Sequence, residues 1–158
     1  MAVAESGTLH HACFVVRDVE QTAAALASSL GIGPWGVWTI EPTNATVRGR
    51  AVPFSFRIAI AAIGDSHYEL LAPHTGESIY VEHLAAHGEG FHHTCFAYPS
   101  LEAMRAAKAE LLEQERELVQ GGEVGDDGEF CYFAIPETGS LLELLYAAEL
   151  PPPEATIG

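Results

Sequence analysis

Leu9-His10-His11-Ala12-Cys13-Phe14 returns 82 residues later as Phe91-His92-His93-Thr94-Cys95-Phe96. The offset persists: Val19-Glu20 falls on Leu101-Glu102, and Ala24-Ala25 on Ala106-Ala107. A second pair follows at an offset of 74, Tyr68-Glu69-Leu70-Leu71 against Leu142-Glu143-Leu144-Leu145. Chance readily produces one Glu-Leu-Leu match, but not a paired His-His-x-Cys-Phe beside it. The chain therefore reads as a duplication. Each half runs from a His-His strand to a Glu-Leu-Leu strand, and the second is eight residues shorter between these marks (82 minus 74).

Working outward, residues 10–16 form an apolar, partly β-branched strand. Alternation puts His11, Cys13 and Val15 on one face and His10, Ala12, Phe14 and Val16 on the other. Asp18 is an N-cap with Gln21 three residues on. The helix it opens runs to about Leu30, buries Val19, Ala23, Leu26, Ala27 and Leu30, and ends at Gly31. Strands are expected over 35–40, 54–63 and 67–71, the last with His67, Glu69 and Leu71 on one face. Residues 45–53 read as either a hairpin or a loop. A connector over 75–90 carries a short helix near 80–86. The second half then gives a strand over 91–98 and a helix capped by Ser100. That helix runs to about 119, with Leu101, Met104, Leu111 and Leu118 among its apolar positions. Strands follow over 130–135 and 141–146. Residues 121–128 are rich in glycine and acid but lack the Gly-Lys-Ser/Thr of a phosphate loop. The tail from Pro151 is expected to be loose. Each half is thus strand, helix and about three strands, an α+β pattern whose helices cover one sheet face. If the other face curves round a cleft, His11, Glu69, His93 and Glu143 point into it together.

A carboxylate on the inward face of an apolar strand is costly unless paired or metal-bound. Glu69 and Glu143 both occupy that position among leucines, and the matching first strands bring two imidazoles. The set suits one divalent ion, Zn, Mn, Co, Ni or Fe, with room for water or substrate oxygens that the cation would polarise. His10 and His92 fall to the helix-facing side, in packing or supporting roles. His67 either lines the pocket or orients a ligand, or ends a solvated strand.

The chain is about one ordinary domain long, at 158 residues, and its 48% hydrophobic against 18% charged content gives it a core. No apolar run reaches the roughly 18 residues of a membrane span. Residues 1–8 lack the basic and apolar regions of a secretory signal. A net charge of -15 with only 7 lysines and arginines excludes a nucleic-acid footprint and disfavours anionic membranes and strongly anionic ligands. Three cysteines without a CxxC are expected to be reduced and buried in a cytoplasmic protein.

Four stretches carry a family resemblance: Gly31-Ile32-Gly33-Pro34-Trp35, Tyr68-Glu69-Leu70-Leu71-Ala72-Pro73, Gly88-Glu89-Gly90-Phe91-His92-His93 and Leu142-Glu143-Leu144. Over about residues 8–147 the chain resembles the vicinal oxygen chelate superfamily, the glyoxalase and bleomycin-resistance fold, and within it the branch containing methylmalonyl-CoA epimerase. The resemblance implies paired βαβββ modules forming a U-shaped cleft around one metal. It implies one such domain over 1–158, with module one at about 8–75 and module two at about 90–148, in an architecture that often dimerises. By similarity the second histidine of each pair is a ligand, giving His11 and His93. Glu143 falls on the family's last ligand, and Glu69 where epimerases usually carry glutamine and glyoxalases glutamate.

One departure matters. Epimerases of the branch carry a glutamate base on the third strand of the first half, but Val52-Pro53-Phe54-Ser55-Phe56-Arg57 holds no carboxylate. Two-base racemisation needs a proton acceptor on each face. The expected function is therefore a metal-dependent isomerase, epimerase or lyase. Its substrate would be a small hydrophobic carbonyl compound reacting through a metal-stabilised enolate, with Glu143 or Glu69 as base. Trp35, Trp38, Phe54, Phe56 and Tyr80 are candidate apolar walls. An iron-dependent ring-cleaving dioxygenase is the first alternative, and the fourth protein ligand argues against it. A non-enzymatic small-molecule binding or resistance protein is the second, and the full ligand set argues against that.

Overall fold

Parallel strands need a crossover, and each half supplies one through its helix. The computed structural model describes residues 3–147 and 149–158. A single helical turn, α1 (Val3–Ser6), precedes β1 (Thr8–Val15), α2 (Val19–Leu30), β2 (Trp35–Ile40), the hairpin β3 (Thr43–Val47) and β4 (Arg50–Ala51), β5 (Ser55–Ile63) and β6 (Ser66–Thr75). After α3 (Ile79–His87) the plan repeats as β7 (Gly90–Ala97), α4 (Leu101–Glu113), β8 (Leu118–Val124), β9 (Gly128–Ile135) and β10 (Ser140–Tyr146), followed by β11 (Ala155–Ile157). Ala148, the expected end of the second module, lies outside the described residues, as do Met1 and Ala2.

The strands form one sheet in the order β11-β2-β5-β6-β1-β7-β10-β9-β8-β3-β4. Its middle is two βαβββ sets back to back, β2-β5-β6-β1 and β7-β10-β9-β8. They join where β1 meets β7 antiparallel. β1 pairs with β6 in parallel and β7 with β10 in parallel. The expected α+β class with two such modules is what the structure has.

α2 begins as the Asp18 motif requires, with the Gln21 amide donating to Asp18 Oδ1 at 2.9 Å, and Gly31 ends it in the left-handed region at φ 67°. It lays Val19 and Ala23 over Trp35, Val37, Ala59 and Leu70. Leu30, expected in that stripe, faces solvent at the helix end. α4 covers Cys131, Phe133 and Leu144 with Met104, Ala107 and Leu111. A third cluster sits on the concave face and includes Val15, Phe56, Ile58, Leu71, Phe130 and Tyr132. α3 and the β3–β4 hairpin fill part of that concavity with Ile79, Tyr80, Ala45 and Val47, and the rest stays open as a cleft. Gln120 of β8 tethers α3 by accepting the Ile79 amide at 2.9 Å.

Three expectations change. The stretch that reads as either hairpin or loop is a hairpin, turned by Arg48 and Gly49, both at positive φ as a two-residue type I′ loop requires. The second helix stops at Glu113, six residues short of expectation (119 minus 113), and Leu118 opens strand β8. Glu115 takes the left-handed position at φ 58°, and the Arg116 and Glu115 amides donate back to Leu111 and Leu112 carbonyls, a Schellman stop built without glycine. The tail is not loose: β11 adds to β2 through Ala155 opposite Val37.

Glu129 on β9 is held between Arg105 Nε and Lys108 Nζ, each at 2.8 Å. Burial alone would raise its pKa, but Lys108 and Arg105 more than offset this and hold the carboxyl below the ordinary range. A depressed folded value gives stability that is present above the unfolded pKa and lost as pH falls through the folded one. Glu129→Gln should therefore lower the unfolding free energy at neutral pH by roughly 1–3 kcal/mol. Urea titrations at pH 7 and at acid pH should show that gap shrinking as the native carboxylate protonates.

Candidate metal centre

Four neighbouring strands at the middle of the sheet, in the order β6-β1-β7-β10, contribute one residue each: Glu69, His11, His93 and Glu143. All four are buried. His11 Nε2 lies 3.3 Å from His93 Nε2 and 3.2 Å from Glu143 Oε2, and His93 Nε2 lies 3.0 Å from the same oxygen. Glu69 Oε1 stands 3.5 Å from His11 Nε2. The duplication has thus become a pseudo-symmetric cluster around the β1–β7 seam.

The contacts have the character of a cation cage. Glu143 Oε2 is buried and has no aligned hydrogen-bond donor, although two ring nitrogens sit within 3.2 Å of it. Two imidazole nitrogens and a carboxylate oxygen converging on one point, with that oxygen lacking an aligned donor, suit a bound divalent ion. The ligating atoms of His11, His93 and Glu143 all fall within 4.8 Å of one another, as do those of Cys13, Glu69 and His93. These are ligand groups that a metal ion can use.

Burial opposes a charge on His11, yet the Glu69 and Glu143 carboxylates push its imidazole up to about 9. Burial likewise opposes ionisation of Glu143, but the His11 and His93 imidazoles close beside it hold the carboxyl well below the usual carboxylate range.

His10 and His92 depart from strict alternation. β1 pairs Leu9 with Phe96 and then His11 with Cys95, so His10 is an extra residue in a bulge. β7 pairs His93 with Cys13 and then Phe91 with Phe14, so His92 is the extra residue on the other strand. A bulge re-aims a side chain. His10 consequently lines the cleft rather than the helix side, and its Nδ1 sits 2.8 Å from His11 Nδ1. His92 makes the matching contact to His93 at 2.8 Å. Burial, then the charges of His11 and His67, lower His10 to about 4; burial, then His93 and His83, lower His92 to about 2. Both are therefore neutral, and each can accept from the Nδ1–H of the histidine that follows it, an arrangement that would turn Nε2 of His11 and His93 toward the cluster. His67 stacks on His10 at 4.4 Å and lines the cleft, with its Nδ1 buried and unbonded.

With His93 fully buried beside them, His11, Glu69 and Glu143 line the floor of a 720 Å³ cleft. Its walls are mostly apolar, with Trp38, Ile58 and Ile60 from the first half and Val124, Phe130 and Leu145 from the second. Of the expected wall aromatics, Trp38 and Phe56 line it. Trp35 lies on the opposite sheet face under α2, because it differs in strand parity from Trp38. Phe54 and Tyr80 pack behind the wall, where the Tyr80 hydroxyl meets that of Tyr132 at 2.8 Å. The second-half wall, including Tyr98 and Tyr132, went unnoticed in the sequence, although its position on the duplicated strands could have marked it. So did Leu150, brought to the rim by the strapped tail, where Trp38 Nε1 donates to the Pro151 carbonyl at 2.7 Å and Glu154 accepts from Thr39 and Arg57.

Among the described residues no lysine or arginine lines the cleft. All seven cations of the chain are engaged by carboxylates: Arg17, Arg48, Arg50, Arg57, Arg105, Lys108 and Arg116. The three cysteines are free and buried. No helix among the described residues is long and apolar enough to cross a membrane.

The profile of the Glyoxalase/Bleomycin resistance protein/Dioxygenase superfamily matches residues 10–133. No curated protein sequence matches the chain. Among solved structures, methylmalonyl-CoA epimerase from Mycobacterium tuberculosis is 19% identical, covers 94% of this chain and 93% of its own, and superposes with a TM-score of 0.64. A variant of the Streptomyces coelicolor methylmalonyl-CoA epimerase in complex with 2-nitronate-propionyl-CoA is 19% identical, with coverage of 91% and 99% and a TM-score of 0.65. A hypothetical protein from Bacillus halodurans is 22% identical, with 92% and 98% covered and a TM-score of 0.64. Identities this low speak for the fold alone. The family profile spans most of the chain and covers both His-His strands, and the chain belongs to the Glyoxalase/Bleomycin resistance protein/Dioxygenase superfamily.

Proposed function

We propose that this chain is a metal-dependent isomerase, epimerase or lyase acting on a small, uncharged, hydrophobic carbonyl compound, in one vicinal oxygen chelate domain. One divalent ion would be held by His11, Glu69, His93 and Glu143. The observation that carries this reading is the convergence of two imidazole nitrogens on a buried Glu143 oxygen that has no aligned donor, at the floor of an apolar cleft.

When bound, such a cation supplies Lewis acidity to oxygens of the substrate. The chain's own groups do the rest. Glu143 is engaged by both imidazoles, whereas Glu69 reaches only His11 among them, at 3.5 Å. Glu69 is thus the freer carboxylate to take a proton from the carbon beside a carbonyl, and Glu143 the firmer anchor. Trp38, Phe56, Ile58 and Ile60 exclude water and strengthen every charge interaction at the floor. With every cation engaged elsewhere, the cleft offers no counter-charge to a phosphate-bearing thioester, which favours a neutral substrate.

Metal-loaded protein in deuterated water, incubated with a panel of small hydrophobic ketones and hydroxyketones, tests this by proton NMR. Protein-dependent loss of the signal beside the carbonyl is expected, and Glu69→Gln should slow it by about 100-fold or more. Stoichiometric metal with no exchange on any compound, but oxygen uptake with catechols, would replace this reading by ring cleavage.

A further inference from the structure

The repeated motif is His-His-x-Cys, and its cysteine still lacks a role. Alternation places each cysteine two residues beyond a central histidine, on the same strand face. Parallel pairing then sets it directly beside a glutamate of the next strand: Cys13 opposite Glu69, and Cys95 opposite Glu143. The same adjacency arises twice, once in each half. Both cysteines are 0% exposed. The Cys13 sulfur lies within 4.8 Å of a Glu69 oxygen and of a His93 nitrogen, and Cys95 is grouped in the same way with His10 and His11. An ionised carboxylate is acceptor-only, with more lone pairs than the imidazoles fill, and a buried thiol is a donor in search of an acceptor.

We infer that Cys13 and Cys95 are positioning residues, whose S–H groups donate to Glu69 and Glu143 respectively and hold each carboxylate turned toward the central cluster. This rests on the metal reading above. The strand register that sets Cys13 beside Glu69 and Cys95 beside Glu143 puts each buried thiol next to the carboxylate its S–H would reach. Cys131, the remaining thiol, packs instead with Met104, Phe133 and Leu144 under α4, which makes it an internal reference. A thiolate ligand is the rival role. It is disfavoured because both sulfurs sit beside carboxylates with no lysine or arginine in contact. The motif then reads as a unit in each half: the first histidine fixes the ring of the second, the second presents its nitrogen, and the cysteine steadies the glutamate on the neighbouring strand.

Two measurements test this on the full chain. Infrared spectra of the metal-free protein should show two S–H stretching bands lowered by hydrogen bonding. Each should be deleted in turn by Cys13→Ser and Cys95→Ser, and should rise in frequency in Glu69→Gln and Glu143→Gln respectively. Bands that ignore the glutamate changes overturn the inference. In Co²⁺ or Mn²⁺ titrations, Cys13→Ala and Cys95→Ala should each weaken affinity by about 10- to 100-fold, and the serine variants, which keep a donor, should recover most of it. Alanine variants that bind as tightly as the wild type overturn the inference alone, and so does equal weakening by serine and alanine. A thiolate-to-cobalt charge-transfer band in the wild type also overturns it, by making the sulfur a ligand. A wild-type chain that binds neither metal overturns the metal reading and this inference together.

Discussion

Glu143→Ala should abolish stoichiometric binding of a divalent metal, with affinity falling more than about 100-fold in equilibrium titrations. That bound follows because loss of a group that merely orients a ligand already costs about 10- to 100-fold. Glu143 is the only residue of the four whose oxygen stands within 3.2 Å of both imidazole nitrogens. Without it, His11 and His93 face each other at 3.3 Å with no anion between them. The loss should also appear in stability. Metal at about 1,000 times its dissociation constant adds about 4 kcal/mol to the native state. For a chain of this length that amounts to a rise of roughly 8–16 °C in melting temperature. The wild type should show the rise and Glu143→Ala should not. Glu69→Gln keeps an oxygen donor at its position and should retain most of it. A Glu143→Ala protein that still takes one metal per chain, with the full thermal shift, would remove Glu143 from the ligand set.

What made the clustering of these four side chains legible was phase combined with repetition. Alternation alone left each half undecided, but two equally phased copies put His11 and His93, and not their neighbours, at the seam. The same rule misplaced His10 and His92. A bulge adds one residue to one strand and shifts the side chain to the other face, and no residue in Leu9-His10-His11 announces it. The helix after Ser100 was overextended for a different reason. Gln114 to Glu117 are good helix formers, and the residue that stops them, Glu115, enters the left-handed region without being glycine. Its stop depends on Leu118 being drawn into the sheet beside Phe133, a tertiary demand that local propensity does not carry. The tail was misjudged because Pro151-Pro152-Pro153 looks like a linker. It is ordered by long-range latches, Trp38 to the Pro151 carbonyl and Glu154 to Thr39 and Arg57, across more than 95 residues of sequence.

The two tryptophans of β2 should separate stability from ligand binding. They are three residues apart, so strand parity sends them to opposite faces. Trp35 is 0% exposed between α2 and the sheet, where its Nε1 donates to the Ile32 carbonyl at 2.6 Å. Trp35→Ala leaves a cavity in that layer and strips the carbonyl of its donor. The expected loss is about 3–5 kcal/mol in urea unfolding, with metal affinity unchanged where the protein remains folded. Trp38 stands on the cleft side over Gly36, whose missing Cβ makes room for the indole. Trp38→Ala should cost only about 1 kcal/mol of stability, since its ring is partly exposed. It should nevertheless weaken a hydrophobic carbonyl ligand by roughly 10-fold, through lost apolar contact. It also removes the bond to Pro151, so limited proteolysis near residue 151 should accelerate while the core resists. If Trp38→Ala and Trp35→Ala lost equal stability and left ligand binding untouched, the concave face would be core throughout, and the apolar walls would not be a binding surface.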